Sequence, residues 1–87
     1  MLARVITGVT GDQVFPACFL TKVRVAGTAV LVGAVQVKQG AAVLETFAAA
    51  TAVGVEREYE QLKFDANLGL LNINMANAGD TVLILYS

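Results

Sequence analysis

The chain has 87 residues, 56% of them hydrophobic and 15% charged, with six Lys/Arg, seven Asp/Glu and a formal net charge of −1. That length makes one domain, which hides only about 60 to 65% of its unfolded surface, so apolar residues in this abundance are expected to face another copy or another protein as well as a core. The lack of histidine excludes Ser-His and Cys-His nucleophile pairs and His-ligated metals, scattered charge of both signs argues against nucleic acid, and no uncharged apolar stretch reaches the ~18 to 20 residues of a membrane-spanning helix.

The start, MLARVITGVTGD, lacks a basic region followed by a sustained apolar run, so no secretory signal is read there. Leu2 to Thr7 reads as a first strand. Gly8-Val9-Thr10-Gly11-Asp12 is loop chemistry, and Pro16 ends or edges what precedes it in Val14-Phe15-Pro16. Residues 1–17 are expected to form an edge strand or an arm exchanged with a neighbouring subunit. Cys18, the only cysteine, sits beside Phe19 and Leu20 and reads as a buried apolar residue rather than a reactive thiol.

Cys18 to Ala26 is strand-like, with Phe19, Thr21, Val23 and Val25 on one face and Leu20, Lys22, Arg24 and Ala26 on the other. After a bend at Gly27-Thr28, Ala29 to Val37 reads as a long β-branched strand, apolar on both faces. Its Gly33 marks a bulge or a place where another backbone comes close. Lys38-Gln39-Gly40 is a turn. In AAVLETFAAATAV the pairs Val43/Phe47 and Leu44/Ala48 have helical spacing, but a strand from Ala42 to Phe47 followed by an alanine-rich loop is preferred. Strands flank the segment, and no Ser, Thr, Asp or Asn caps the helix.

Between Val55 and Asp65 the pattern changes phase. Val55, Arg57 and Tyr59 share one face and Glu56, Glu58 and Glu60 the other, yet the next apolar pair, Leu62 and Phe64, falls at even positions. A bulge or break is therefore predicted near Glu60 and Gln61. Asp65-Ala66-Asn67 turns the chain into Leu68 to Tyr86, which reads as a hairpin: Leu71, Ile73 and Met75 alternate with Asn72 and Asn74, Asn77-Ala78-Gly79-Asp80 supplies the turn, and Thr81 to Tyr86 follows. That last strand is apolar on both faces, so it is expected to be central and covered on both sides. About seven short strands at intervals of roughly 8 to 12 residues, with no dependable helix, predict an all-β, antiparallel, jelly-roll-like β-sandwich forming a single domain over residues 1–87.

No catalytic, cofactor-binding or metal residues are assigned, and the protein is expected not to be an enzyme. Glu56, Glu58 and Glu60 form a row with the spacing of roughly 7 Å that could hold Ca²⁺ or an acid/base pair, but a solvated outer face or a protected edge is favoured. Lys22 and Arg24 make a small basic pair, read as a solvated face or as salt-bridge partners for the glutamate row of an adjacent subunit. The scattered aromatics read as core. Candidate residues for an interface with another subunit or another protein are Lys22, Arg24, Leu31, Val35, Leu83, Leu85 and Tyr86.

From about Lys22 to the end, the order of VRVAGTAVLVGAVQV, a middle strand ending LETF, a short acidic strand, LKF, a glycine turn, an alternating strand and a terminal DTVLILY resembles small all-β virion proteins of tailed bacteriophages. Those proteins decorate or cement capsids or form fibre-like attachments. The resemblance lies in the positions of apolar and turn residues and carries no site residues over. It implies a β-sandwich, often trimeric, resting on neighbouring capsid subunits without a cofactor. The partners so implied are other copies of the chain, a trimer being preferred, and the major capsid protein or another virion protein; the place implied is the capsid surface of a virion, after synthesis in the host cytoplasm. The alternative function is a small oligomeric ligand-binding module, holding a carbohydrate or a small apolar molecule in a groove between subunits.

Overall fold

The computed structural model describes residues 1–87 and contains eight strands and no helix. These are β1 (Leu2–Ile6), β2 (Gly11–Val14), β3 (Cys18–Ala26), β4 (Val35–Gln39), β5 (Ala42–Phe47), β6 (Glu56–Phe64), β7 (Leu71–Met75) and β8 (Thr81–Tyr86). They form two four-stranded sheets, ordered β1-β8-β3-β6 and β2-β7-β4-β5. Every pairing is antiparallel, and β1 with β8, β2 with β7, β3 with β6 and β4 with β5 are the partners of one long hairpin folded over on itself. Wrapping that hairpin adds the contacts β3–β8 and β4–β7, which gives the jelly-roll arrangement.

The inner faces follow the period of two. Leu71, Ile73 and Met75 from β7, Val35 and Val37 from β4, Val23 and Val25 from β3, and Val82 and Ile84 from β8 are buried against one another, with Phe15, Phe47 and Phe64 closing the sides and ends. Strand β1 pairs with β8 of its own chain, so the first residues form an edge strand here, and β2, expected only as loop, edges the second sheet. Strand β5 and the loop after it fall where the alanine-rich segment was expected to divide.

Two expectations about how the longer segments run are overturned. The segment 68–86 is not a hairpin: β7 and β8 exist with the anticipated faces but belong to different sheets. Both have an apolar face to bury, and folding over at residues 76–80 sets those faces opposite each other across the core rather than side by side. The turn chemistry serves this arch as well as it would a hairpin, with Asn77 Oδ1 accepting the Gly79 amide at 2.8 Å and Asn77 O accepting that of Asp80 at 3.2 Å. The second correction concerns Ala29 to Val37, of which only Val35 to Val37 is strand. Residues 27–34 cross between the sheets, and of their bulky side chains only Leu31 is buried, while Val30 and Val32 are exposed.

The predicted phase change is present. Glu60 and Gln61 adopt left-handed backbone angles, φ 48° and 63°, so that Tyr59, Glu60 and Gln61 oppose the single residue Thr21. The same irregularity runs through β3, where Leu20 joins Val23 and Val25 on the inner face; the uninterrupted alternation expected for β3 is therefore wrong at Thr21.

Candidate functional site

The basic pair lies with Glu56 and Glu58 on the outer face of the first sheet. Register places Lys22 opposite Glu58 and Arg24 opposite Glu56, and the Lys22 ammonium reaches Glu56 at 2.7 Å and Glu58 at 3.7 Å. The salt-bridge partner of Lys22 is thus in its own chain. Hydrogen bonding to Glu56, with the charges of both carboxylates behind it, raises the Lys22 pKa, and the same bond lowers that of Glu56. Glu60 is diverted by its left-handed backbone, so the three glutamates do not form one row.

Of the interface candidates, Lys22, Arg24, Leu83 and Leu85 share this outer face, with Lys22 opposite Leu85 and Arg24 opposite Leu83. Leu83 and Leu85 are half-buried and continue the apolar surface of Ala3 and Val5 on β1. Tyr86 points inward and meets Phe15 edge-on, with ring centroids 5.1 Å apart. Leu31 and Val35 are core residues, 2% and 0% exposed, and have no surface to offer a partner.

A second feature emerges only in three dimensions. Strand direction alternates so that the loops 7–10, 27–34, 48–55 and 76–80 all gather at one end of the sandwich. Among their residues Asp80 alone is charged, and it is buried. Its carboxylate accepts the amides of Val32 and Gly33 at 2.8 and 2.9 Å. Further bonds tie the loops to one another: Gly8 N–H to Ala78 O at 2.9 Å, Leu31 N–H to Thr51 O at 3.0 Å, Ala50 N–H to Leu31 O at 2.7 Å and Ala76 N–H to Ala34 O at 3.2 Å. The result is a braced end whose loops expose no charge of their own, with the Arg24 guanidinium at its rim beside Gly54, and on it Val32 is 70% exposed, Val30 49% and Val53 42%, among exposed alanines.

A shallow cleft of about 210 Å³ opens on this end between Thr28, Val30, Val32 and the Asp80-Thr81 turn. It falls below the roughly 300 to 1,000 Å³ typical of small-molecule sites, and the carboxylate in its wall is already engaged. The sequence held a signal for this surface in its long uncharged tracts, Val25 to Val37 and Thr46 to Val55, although Ala29 to Val37 within the first has the pattern of a strand. Asp80 carried no signal beyond its place in a turn.

Two polar groupings lie elsewhere. On the outer face of the second sheet Asn74 Nδ2 donates to Asp12 at 2.7 Å, and this bond, with help from Asn72 and the Lys38 charge, lowers the Asp12 pKa. Where β5 and β6 approach, Arg57 lies 3.6 Å from Glu45 and over the Phe47 ring, beside a Tyr59 hydroxyl that is buried without a hydrogen-bond partner. Burial pushes the Tyr59 pKa up to about 12, and the Glu45 charge adds to it. The Cys18 thiol is buried, which raises its pKa.

No protein-family model, curated protein or solved structure matches this chain.

Proposed function

We propose that this protein is a non-enzymatic structural subunit that docks by its uncharged end onto a larger protein assembly, and that the assembly is the capsid of a tailed phage, which it decorates or cements. The observation that carries the reading is the collection of four interbonded loops, none of which exposes a charged side chain of its own, into one surface. Such a surface loses little on desolvation, and its small side chains allow a partner's backbone to come close. Membrane-surface binding would call instead for large apolar anchors ringed by Lys and Arg, which this end lacks. The capsid as partner rests on the resemblance of residues 22–87 to virion proteins. The jelly-roll fold is compatible with that role and with many others.

Co-sedimentation with assembled capsids tests it. The wild-type chain is expected to pellet with the particles, whereas Val32→Asp or Val53→Lys, each placing a charge in the docking surface, should weaken binding by at least about tenfold, as burial of an unpaired charge requires. Glu58→Gln, on the outer sheet face, should bind as wild type. Undiminished binding by both charged variants, or no binding by the wild-type chain, would overturn the proposal.

A further inference from the structure

Independently of the uncharged end, we propose that two copies of this chain join through β1, pairing antiparallel about a two-fold axis at Val5 so that their β1-β8-β3-β6 sheets become one. The sandwich has four edge strands, β1, β6, β2 and β5. Strand β6 is broken by the left-handed step at Glu60 and Gln61 and studded with charge. Strand β5 carries an extra residue at Leu44 and an inward Glu45 paired to Arg57. Strand β2 has only four residues, opens on Gly11 and runs into Phe15-Pro16. Bulges, charge, brevity and proline are the usual means by which an edge is kept from pairing. Strand β1 has no bulge and no proline, and its one charged side chain, Arg4, is folded inward with the guanidinium carbon 4.5 Å from the Phe15 ring centroid.

The direction of its backbone groups follows from its neighbour. Ser87 and Phe19 exchange both N–H···O bonds, at 2.9 and 2.8 Å. By the alternation of an antiparallel ladder, Leu85 and Leu83 also turn their amides to β3, while Tyr86, Ile84 and Val82 turn theirs to β1. Those three stand opposite Leu2, Arg4 and Ile6, so the N–H and C=O groups of Ala3 and Val5 point off the sheet. Such a row pairs best with another strand, and since the other edges are closed, the matching strand in a second copy is β1.

Arg4 selects the register. A two-fold at Arg4 would set two guanidiniums side by side, a destabilising like-charge pair. With the axis at Val5, Arg4 stands opposite the partner's Ile6, and Val5 exchanges both backbone bonds with the partner's Val5. The outer face then brings Val5, 58% exposed in the single chain, against its counterpart and extends the apolar row of Leu83 and Leu85 across the join. An isologous contact of this kind closes at two copies, so the unit is a dimer rather than the trimer that the resemblance implies.

The test exploits the off-sheet amide of Val5. Val5→Pro removes an N–H that only the intermolecular ladder uses, and proline is tolerated on edge strands. Sedimentation velocity of the full chain over a micromolar range should give a dimer for wild type and, for Val5→Pro, a folded monomer whose self-association is weakened at least about tenfold. Val5→Lys sets two ammoniums at the axis and should act likewise, which keeps the test decisive if the proline variant does not fold. In a Cys18→Ala background, Val5→Cys should oxidise to a covalent dimer, because Cα atoms of a directly hydrogen-bonded antiparallel pair lie about 5.5 Å apart, within disulfide reach. A wild-type monomer or trimer, a dimer that survives both Val5→Pro and Val5→Lys, or a dimer whose Val5→Cys form does not cross-link would overturn the proposal.

Discussion

The Asp80 carboxylate accepts the backbone amide of Gly33, 47 positions away in the chain, at 2.9 Å. Its other oxygen takes the Val32 amide, so a single side chain from the β7–β8 arch fixes the crossing segment that bears the most exposed valine of the uncharged end. Gly33 allows the approach: a Cβ there would lie 3.0 Å from the Ala76 Cβ and 3.2 Å from that of Asn77.

Asp80→Asn is therefore expected to destabilise the fold. A carboxamide offers one acceptor where two amides need one each, and the amide left without a partner costs about 1 to 3 kcal/mol. Asp80→Ala, which strands both amides, should cost more. Denaturant midpoints check the order; an unchanged midpoint for Asp80→Asn would show that the two bonds carry no net stability.

The clamp also explains what was legible in the sequence. Strands announced themselves where apolar side chains alternate, as in β7, or run on unbroken between turn residues, as in β8, and the break in β6 was visible because its apolar positions change parity. Partner choice was not visible, because the residues that turn a chain into a hairpin also turn it into an arch between sheets. Val30, Leu31 and Val32 have strand propensity, yet their conformation is set by Asp80 and Thr51, which no local pattern reports. Strand β2 went unrecognised because GDQV shows no apolar alternation; it is held by pairing to β7 and by the Asp12–Asn74 bond. The uncharged end required the topology, since its loops are spread from residue 7 to residue 80.

Tyr59 predicts an alkaline loss of stability. Its pKa is raised from about 10 to about 12, chiefly by burial, so between those values the unfolded chain ionises while the folded one does not. The unfolded state then binds fewer protons, and stability falls as pH rises through that window. Tyr59→Phe should remove this contribution and, because the hydroxyl has no partner, be neutral to mildly stabilising at pH 7. Melting curves of the two proteins at pH 8 and pH 11 check it; parallel losses in both would refute the assignment to Tyr59.

The left-handed step in β6 predicts opposite outcomes for adjacent substitutions. A non-glycine residue at positive φ costs roughly 1 to 2 kcal/mol, so Glu60→Gly, at φ 48°, should gain stability on the order of 1 kcal/mol. Gln61 has the same backbone but holds its place with side-chain bonds, donating to Thr21 Oγ1 at 3.0 Å and accepting from Ser87 Oγ at 3.2 Å. Gln61→Gly relieves strain and removes both bonds, so it should gain less than Glu60→Gly or lose stability. Chemical denaturation of both variants ranks them, and a larger gain at Gln61 would show the bonds to be idle.

Strand β8 provides the sharpest comparison between core and outer face. Ile84 is fully buried between the sheets, and Leu83, its neighbour in sequence, is half-buried on the outer face opposite Val5 and Arg24. Ile84→Ala should cost about 2 to 5 kcal/mol, a large part of a total on the order of 5 to 15, and lower the melting temperature at every protein concentration. Leu83→Ala removes side-chain area already half in water and should cost only about 1 kcal/mol in the single chain. If a second copy joins at β1, the row of Val5, Leu83 and Leu85 is continued across the axis. The Leu83→Ala loss should then grow with protein concentration, as mass action requires for a linked dimer. Thermal melts over a hundredfold concentration range separate the two behaviours. Equal losses for Ile84→Ala and Leu83→Ala at the lowest concentration would mean that the outer face is as tightly packed as the core within one chain, against the exposure that the sandwich gives it.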